Sequence, residues 1–285
     1  LVGSEMCIRD SYIRDKIGGV KLAEIKPNTL RYVFESMDEL SSRTISYTMT
    51  ILGSILEQAV KDDIIPKNYM KNIDRPKQVK VRQMITLSAN EVKNFLSNIS
   101  NTEHHALFKL AFATGMRRSE LLGLRWSDID FKKSTISISQ TALKIGSTAV
   151  ISNTTKTTSS KRIIAIDTET LQELMKHKTV IDKRRIKTMN WINNNLVFPG
   201  IKGAPRCPDE VSKLCKKYAN LIGKPSFTMH GTRHTHATLL IENGANMKAI
   251  QERLGHASFQ ETMDTYSHVT PKMEDDIVER ISKIF

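Results

Sequence analysis

Three short segments of the sequence place a cation or an imidazole at a predicted helix end or tight turn, where such side chains can converge on one anion. The first carries Arg117, which follows Gly115 and enters the next predicted helix at its positive N-terminus. The second carries Lys156, in a polar turn between two predicted strands. The third carries His230 and Arg233, whose three-residue offset puts them about one turn apart on a helix face.

A fourth segment adds an imidazole and a phenol, His256 and Tyr266, ten residues apart. Two guanidinium groups, those of Arg117 and Arg233, can each donate paired hydrogen bonds to the non-bridging oxygens of a phosphodiester. They would stabilise the extra negative charge of a pentacoordinate transition state without a metal ion. The phenol of Tyr266 would then serve as the nucleophile, so the four segments together predict phosphoryl-transfer chemistry.

The composition favours a folded protein with a polyanionic partner. The chain has 285 residues, with 43 Lys and Arg against 30 Asp and Glu, which gives a formal net charge of +13 and a pI of about 9.6. This excess of positive charge makes nucleic acid the expected partner. Hydrophobic residues make up 39% and charged residues 26% of the chain, which excludes wholesale disorder and fibrous repeats.

Cysteine usage and hydropathy indicate a protein of the reducing cytoplasm with no membrane partner. The three cysteines, Cys7, Cys207 and Cys215, form no CxxC pair, which argues against a disulfide framework or a thiolate zinc site. The longest apolar stretches, such as residues 106–113, are too short to span a bilayer. No secretory signal is visible at the N-terminus.

Periodicity and composition divide the chain into segments. Residues 1–11 show neither helical nor strand periodicity, and we expect them to be foreign to the fold. Apolar spacing predicts two packed helices between Thr29 and Asp63. The basic, proline-containing stretch 71–82 is typical of a linker, which predicts a small helical domain over 12–80 and a second domain over 81–285.

The second domain is predicted to be mainly helical with a small antiparallel sheet. Ser88 and Glu91 have the spacing of a capping box, and a helix is predicted to end at Gly115. Alternation with period two then predicts strands, which we expect to form one small antiparallel sheet over 135–139, 149–151 and 162–166. Helical periodicity returns after Asp167, so the fold class is mainly α with a small antiparallel β-sheet.

The order and spacing of the site residues resemble those of the tyrosine recombinases, the phage integrase family. The residues in question are Arg117, Lys156, His230, Arg233, His256 and Tyr266. The resemblance runs from about Tyr12 to Phe285. It is strongest in the segments TGMRRSELLGLRWSDID and LGHASFQETMDTYSH, which look most like integrases of phages and integrative elements of low-GC Gram-positive bacteria.

The resemblance implies a site-specific recombinase that integrates or excises a mobile element through a 3′-phosphotyrosine intermediate on Tyr266. It also implies that His230 assists as a base, that His256 hydrogen-bonds the phosphate and that Lys156 is the general acid. Such general acid catalysis typically contributes roughly 10² to 10⁴ in rate. No metal or organic cofactor is implied.

The same resemblance implies the protein's partners. These are double-stranded DNA attachment sites, a homotetramer assembled on DNA in the nucleoid, and a directionality factor. Residues 12–80 resemble the family's helical core-binding (SAM-like) domain, in a truncated form that lacks the helix expected before Tyr12, and residues 81–285 resemble its catalytic domain. The apolar stripe over 271–285 either packs on its own domain or is exchanged with a neighbouring protomer.

The sequence leaves several alternatives open. Lys144 and Lys161 also flank the predicted turns, although the position of Lys156 favours it as the acid. Arg118 is expected to be solvated or to contact the DNA backbone, and Glu120 to support an arginine through a salt bridge. A zinc site is disfavoured because no cysteine lies near its candidate ligands in sequence. Those candidate ligands are His230, His234, His236 and His268.

Two other functions compete with recombination. The chain could be a DNA-binding module without catalysis, which the presence of every expected catalytic residue disfavours. It could also be a metal-dependent nuclease, which would form no covalent intermediate and would lose activity with a chelator.

Overall fold

The computed structural model describes residues 9–77, 85–146, 148–152 and 162–255. Three of the predicted site residues, Lys156, His256 and Tyr266, lie outside these ranges, as do Lys161, His268 and the apolar stripe over 271–285. The chain divides into two compact units, residues 1–83 and 84–285. Each unit has its own hydrophobic core.

The first unit is helical. Its elements are a segment that is π-helical over Arg9–Arg14 and α-helical over Asp15–Ile17, 3₁₀ turns at Leu22–Glu24 and Tyr69–Asn72, α1 (Pro27–Glu35) and α2 (Ser42–Lys61). Pro27 starts α1, where its fixed φ suits a first helical turn, and Ser41 caps α2 by accepting a hydrogen bond from the Thr44 amide.

The two helices α1 and α2 confirm the predicted pair. Their buried faces include Leu30, Val33, Leu52 and Leu56, all at most 3% exposed. The first helical segment begins at Arg9, inside the stretch that lacked periodicity, and the predicted linker begins inside the turn Tyr69–Asn72, which packs on α2.

The second unit builds a helical core around the site. Its helices are α3 (Ala89–Ser97), α4 (Thr102–Thr114), α5 (Arg118–Gly123), α6 (Thr168–Lys187), α7 (Pro208–Leu221), α8 (Met229–Glu242) and α9 (Met247–Leu254). The predicted capping box is confirmed, because the Ser88 side chain accepts from the Glu91 amide while the Glu91 carboxylate accepts from the Ser88 amide. Phe95 of α3 is fully buried and meets Phe108 and Phe112 of α4 edge to face.

In the part of the chain that the structure describes, the strands form two small antiparallel sheets, which corrects the expectation of one. They are β1 (Ile129–Asp130), β2 (Thr135–Ile138), β3 (Thr141–Ile145), β4 (Thr148–Ser152) and β5 (Arg162–Ala165). The first sheet has the order β1-β2-β5, whereas β3 and β4 form a separate hairpin. The predicted strand over 149–151 therefore pairs with β3 and not with the sheet. Strand β3 escaped prediction because only Ala142 in it is buried, which leaves no alternating apolar pattern.

Candidate active site

A cleft in the second unit brings together three of the predicted site residues. Arg117, His230 and Arg233 line a cavity of about 520 Å³, together with residues of β3 and of the N-terminal turn of α7. Arg117 stands at the start of α5, and His230 and Arg233 stand on the first turns of α8. The two guanidinium groups, far apart in sequence, therefore share one concave site as the sequence predicts.

A glycine turn directs Arg117 into this cleft. Helix α4 ends at Gly115 with φ +63°, a left-handed conformation that glycine adopts without strain, and Arg117 then precedes α5 as its N-cap residue. A Cβ atom at Gly115 would lie 2.7 Å from Cδ2 of His236 and 2.8 Å from Cδ2 of Leu254. Both the backbone conformation and the close packing therefore require glycine at this turn.

Arg233 is held rigidly because it is buried. Its relative exposure is 2%, and its Nη1 donates to the Gly115 carbonyl at 2.9 Å while Nη2 donates to the Leu254 carbonyl at 2.7 Å. A buried cation is stable only where polar partners replace its water, and these carbonyls supply that replacement. The Arg233 guanidinium is thus fixed in direction at the cleft wall.

Three successive carbonyls at the C-terminal end of α9 each accept a hydrogen bond from a different arginine. The Arg253 carbonyl accepts from Arg162 Nε at 2.7 Å, the Leu254 carbonyl from Arg233 Nη2 at 2.7 Å, and the Gly255 carbonyl from Arg117 Nη2 at 3.1 Å. The last carbonyls of a helix lack helical partners and carry partial negative charge, so they attract cations. These hydrogen bonds therefore fix the positions of the Arg117 and Arg233 side chains relative to the C-terminal end of α9.

Glu120 links two of these arginines, Arg117 and Arg162. It is 3% exposed, and its carboxylate accepts from the Arg117 amide at 2.8 Å and from Arg117 Nη1 at 3.0 Å. The same carboxylate accepts from both terminal nitrogens of Arg162 at 3.0 and 2.9 Å. Burial opposes ionisation of Glu120, but the hydrogen bonds and charge of Arg162 and Arg117 outweigh it and lower its pKa.

These contacts confirm the expectation that Glu120 supports an arginine through a salt bridge, and they add a residue that sequence reasoning missed. Arg162 was assigned only to a strand. Its partners lie 42 and 91 residues away along the chain, so no local spacing signals its role. The one available hint is a basic residue at the start of a predicted strand, directly after the polar run that carries Lys156.

Substituting Glu120 by glutamine is expected to lower the free energy of unfolding by about 3 kcal/mol, because it leaves the buried Arg162 charge without a counter-charge. Urea unfolding at pH 7 measures this loss. Asp209→Asn is the matched control, since its ion pair with Lys144 is exposed at 49% and 45% and contributes little. Equal unfolding midpoints for the two variants would contradict the buried network.

The histidines near the cleft have distinct environments. The His230 side chain is exposed, and its ring lies 4.6 Å from the ring of His234, measured between centroids. His236 is buried, with Nδ1 at 2.8 Å from the Phe112 carbonyl and Nε2 accepting from Arg253 Nε at 3.0 Å. Nε2 can accept only when it carries no proton, so the proton of His236 is on Nδ1.

Burial, followed by the nearby charge of Arg253, lowers the pKa of His236 to about 4. Because an unfolded histidine titrates near pH 6.5, the unfolded chain binds a proton between these values and the folded chain does not. Stability should therefore fall as the pH drops from about 6.5 to about 4, by about 3 kcal/mol from this group.

Urea unfolding at several pH values tests this dependence. His104 and His177 also have lowered pKa values, caused first by burial, so they add slopes of the same sign. The comparison is therefore between the unsubstituted protein and His236→Gln, which should show a shallower loss toward acid. Identical slopes would show that His236 does not stay neutral in the folded state.

The alternative lysine in the cleft is engaged elsewhere. Lys144 donates to Asp209 at 2.7 Å, and this hydrogen bond and the charge of Asp209 raise its pKa. A general acid works best when its pKa lies near the working pH, so this pairing argues against Lys144. Arg118 is bound by the Ser212 hydroxyl and, at 3.3 Å, by the Pro208 carbonyl. Lys156 as the acid stays a prediction.

Within the described ranges, no group of three or more histidine, cysteine or acidic side chains is placed to hold a metal ion. His268 lies outside those ranges. Among the described helices, none combines the length and the hydrophobicity that crossing a bilayer requires.

The chain is similar to proteins of one known family. Residues 86–273 match the phage integrase family. A tyrosine recombinase XerC-like protein of Caldanaerobacter subterraneus subsp. tengcongensis is 28% identical over 295 residues, covering 96% of this chain and 75% of the relative. An integrase of a Staphylococcus phage is 32% identical over 248 residues, covering 84% of this chain and 66% of that protein.

Solved structures show the same fold. The Tn1549 transposon integrase in complex with a circular intermediate DNA matches with a TM-score of 0.74 and 24% identity, over 91% of this chain and 86% of the other. A lambda integrase dimer bound to a core site matches with a TM-score of 0.65 and 19% identity, over 92% and 86% of the two chains.

The family match and the curated relatives place the chain among the tyrosine recombinases, and the cleft with its two arginines and a histidine lies inside the matched stretch. The chain belongs to the phage integrase family.

Proposed function

We propose that the protein is a site-specific recombinase that cuts and rejoins double-stranded DNA at attachment sites, and so integrates or excises a mobile element. One observation carries the proposal: Arg117 and Arg233 line a single cleft, and both are bonded to the end of α9. The peptide bond after Gly255 leads directly to His256. The arrangement therefore ties two phosphate-binding cations to the segment that carries the remaining imidazole and, ten residues on, Tyr266.

In the proposed reaction the Tyr266 oxygen attacks the scissile phosphorus and the bond to the 5′ oxygen breaks. His230, on the exposed rim of the cleft, takes the phenolic proton, and Lys156 gives a proton to the leaving 5′ oxygen. Arg117 and Arg233 stabilise the charge on the non-bridging oxygens, and His256 donates a further hydrogen bond. Because one phosphoester replaces another, the free 5′ hydroxyl of a second strand can reverse the step without ATP.

Trapping the covalent intermediate tests this function. Sequencing both junctions of the host element would supply the attachment site, from which a nicked suicide duplex is made. We expect a protein–DNA adduct that survives a denaturing gel and forms equally well in chelator. No adduct despite DNA binding would favour the non-catalytic module, and cleavage that a chelator abolishes would favour a metal-dependent nuclease.

DNA binding is expected to weaken steeply with salt, because the basic protein displaces counterions from DNA phosphates. A protein with 6–10 phosphate contacts loses roughly 10³ to 10⁵ in affinity between 50 and 200 mM salt. Fluorescence anisotropy of a labelled attachment-site duplex at several salt concentrations measures the slope. A flat titration would count against an interface dominated by the DNA backbone.

The same proposal extends to assembly. We assign residues 12–80 to DNA clamping and expect a homotetramer on paired sites in the nucleoid, with a directionality factor selecting excision. The likeness to a lambda integrase dimer bound to a core site supports a multimer on DNA. Deleting residues 271–285 tests helix exchange: loss of the tetramer with retained single-site binding supports exchange, and retained tetramers argue for packing on the same protomer.

A further inference from the structure

Arg162, the first residue of β5, uses all three guanidinium nitrogens inside the protein. Nε donates to the Arg253 carbonyl, and Nη1 and Nη2 donate to the two oxygens of Glu120. Its side chain is 7% exposed and that of Glu120 is 4% exposed. This is a paired, fork-like interaction whose geometry a lysine cannot reproduce.

The partners of Arg162 are the supports of the phosphate-binding arginines. Glu120 also accepts from the backbone and the side chain of Arg117. The Arg253 carbonyl stands next to the two carbonyls that accept from Arg233 and Arg117. Arg162 therefore fixes both Glu120 and the end of α9.

Arg117 is the arginine that depends most on this support. Its side chain is 37% exposed, so burial alone does not fix its direction, in contrast to the 2% exposure of Arg233. Its Nη1 is held by Glu120 at 3.0 Å. A carboxylate free to rotate would let the Arg117 guanidinium swing, whereas Arg162 holds both carboxylate oxygens in place.

We propose that Arg162 is a positioning residue of the recombination reaction, which orients Arg117 on the scissile phosphate through Glu120. This inference rests on the proposed function. Arg162 does not contact the DNA; it sets the geometry of a group that does. Displacing a phosphate-binding group by about 1 Å can cost about 10²-fold in rate.

The test uses the suicide duplex at saturating concentration. Arg162→Lys should cleave about 10²-fold more slowly than the unsubstituted protein, while its dissociation constant for DNA stays the same. The matched control is Arg184→Lys. Arg184 contacts both oxygens of a part-buried carboxylate, Glu103, through its Nη1 at 2.7 and 2.9 Å and donates to two backbone carbonyls through Nη2, but it does not line the cleft. It should cleave at the unsubstituted rate.

A second variant, Glu120→Asp, keeps the charge but withdraws the carboxylate by one methylene group. It should lower the cleavage rate like Arg162→Lys, and the double variant should be no slower than the slower single one, because both act through the same contact. All rates are taken where circular dichroism shows the proteins folded.

Unchanged cleavage by Arg162→Lys, additive losses in the double variant, or an equal loss in Arg184→Lys would overturn the inference. Absence of any adduct with the unsubstituted protein would instead overturn the proposed function, so the two failures are distinguishable.

Discussion

Replacing Tyr266 by phenylalanine is expected to abolish covalent attachment to DNA and to leave DNA affinity nearly unchanged. The substitution removes one oxygen atom, which is the nucleophile, and keeps the aromatic ring. Without that oxygen no phosphotyrosine can form, so the loss should be complete and not graded. The measurement is the fraction of labelled suicide duplex that migrates with the protein on a denaturing gel, with anisotropy as the affinity readout.

Tyr218→Phe is the matched control for this experiment. Tyr218 is 6% exposed in α7, and its hydroxyl lies 2.8 Å from His104 Nδ1. Loss of this hydroxyl should lower the stability by about 1 kcal/mol, the usual contribution of one hydrogen bond. The amount of protein–DNA adduct should stay unchanged. Adducts that persist in Tyr266→Phe would refute the assignment of the nucleophile.

Replacing Arg233 by lysine is expected to reduce cleavage at saturating DNA by about 10² to 10³-fold, the usual effect of removing one donor that stabilises transition-state charge. Lysine keeps the positive charge but cannot donate from two nitrogens in one plane. It therefore cannot bond the Gly115 and Leu254 carbonyls and also face the phosphate. Single-turnover cleavage of the suicide duplex measures the rate.

Stability must be separated from catalysis in this variant, because an unsatisfied buried carbonyl typically costs about 1–3 kcal/mol. Thermal unfolding identifies the temperature at which Arg233→Lys is folded, and Arg184→Lys again shows the effect of losing a guanidinium remote from the cleft. If a folded Arg233→Lys protein cleaves as fast as Arg184→Lys, Arg233 does not stabilise the transition state.

The sequence predicts the parts of this molecule that local pattern determines. The predictions of mainly α class, of helices around Ser88 and Gly115, and of an antiparallel sheet are confirmed, because caps, left-handed glycine turns and apolar periodicity are short-range features. The separate hairpin of β3 and β4 was not predicted, since strand pairing is a long-range choice and β3 buries only one residue.

The candidate site also contains residues that the sequence predicts and residues that it does not. The order of the predicted site residues predicts that Arg117, His230 and Arg233 converge, and the cleft brings them together. The role of Arg162 could not be predicted, because its partners are a distant carboxylate and a backbone carbonyl. Every residue has a backbone carbonyl, so the sequence does not show which one accepts a hydrogen bond. The catalytic roles of all six site residues, Arg117, Lys156, His230, Arg233, His256 and Tyr266, stay predictions.

The central claim is that the phenolic oxygen of Tyr266 becomes bonded to the phosphorus of a DNA strand. Protease and nuclease digestion of the trapped adduct, followed by mass spectrometry, tests it most directly. We predict a nucleotide linked through its 3′ phosphate to the peptide that contains Tyr266, together with a free 5′ hydroxyl on the released strand. A phosphate on any other residue, or a link through the 5′ end, would contradict the account.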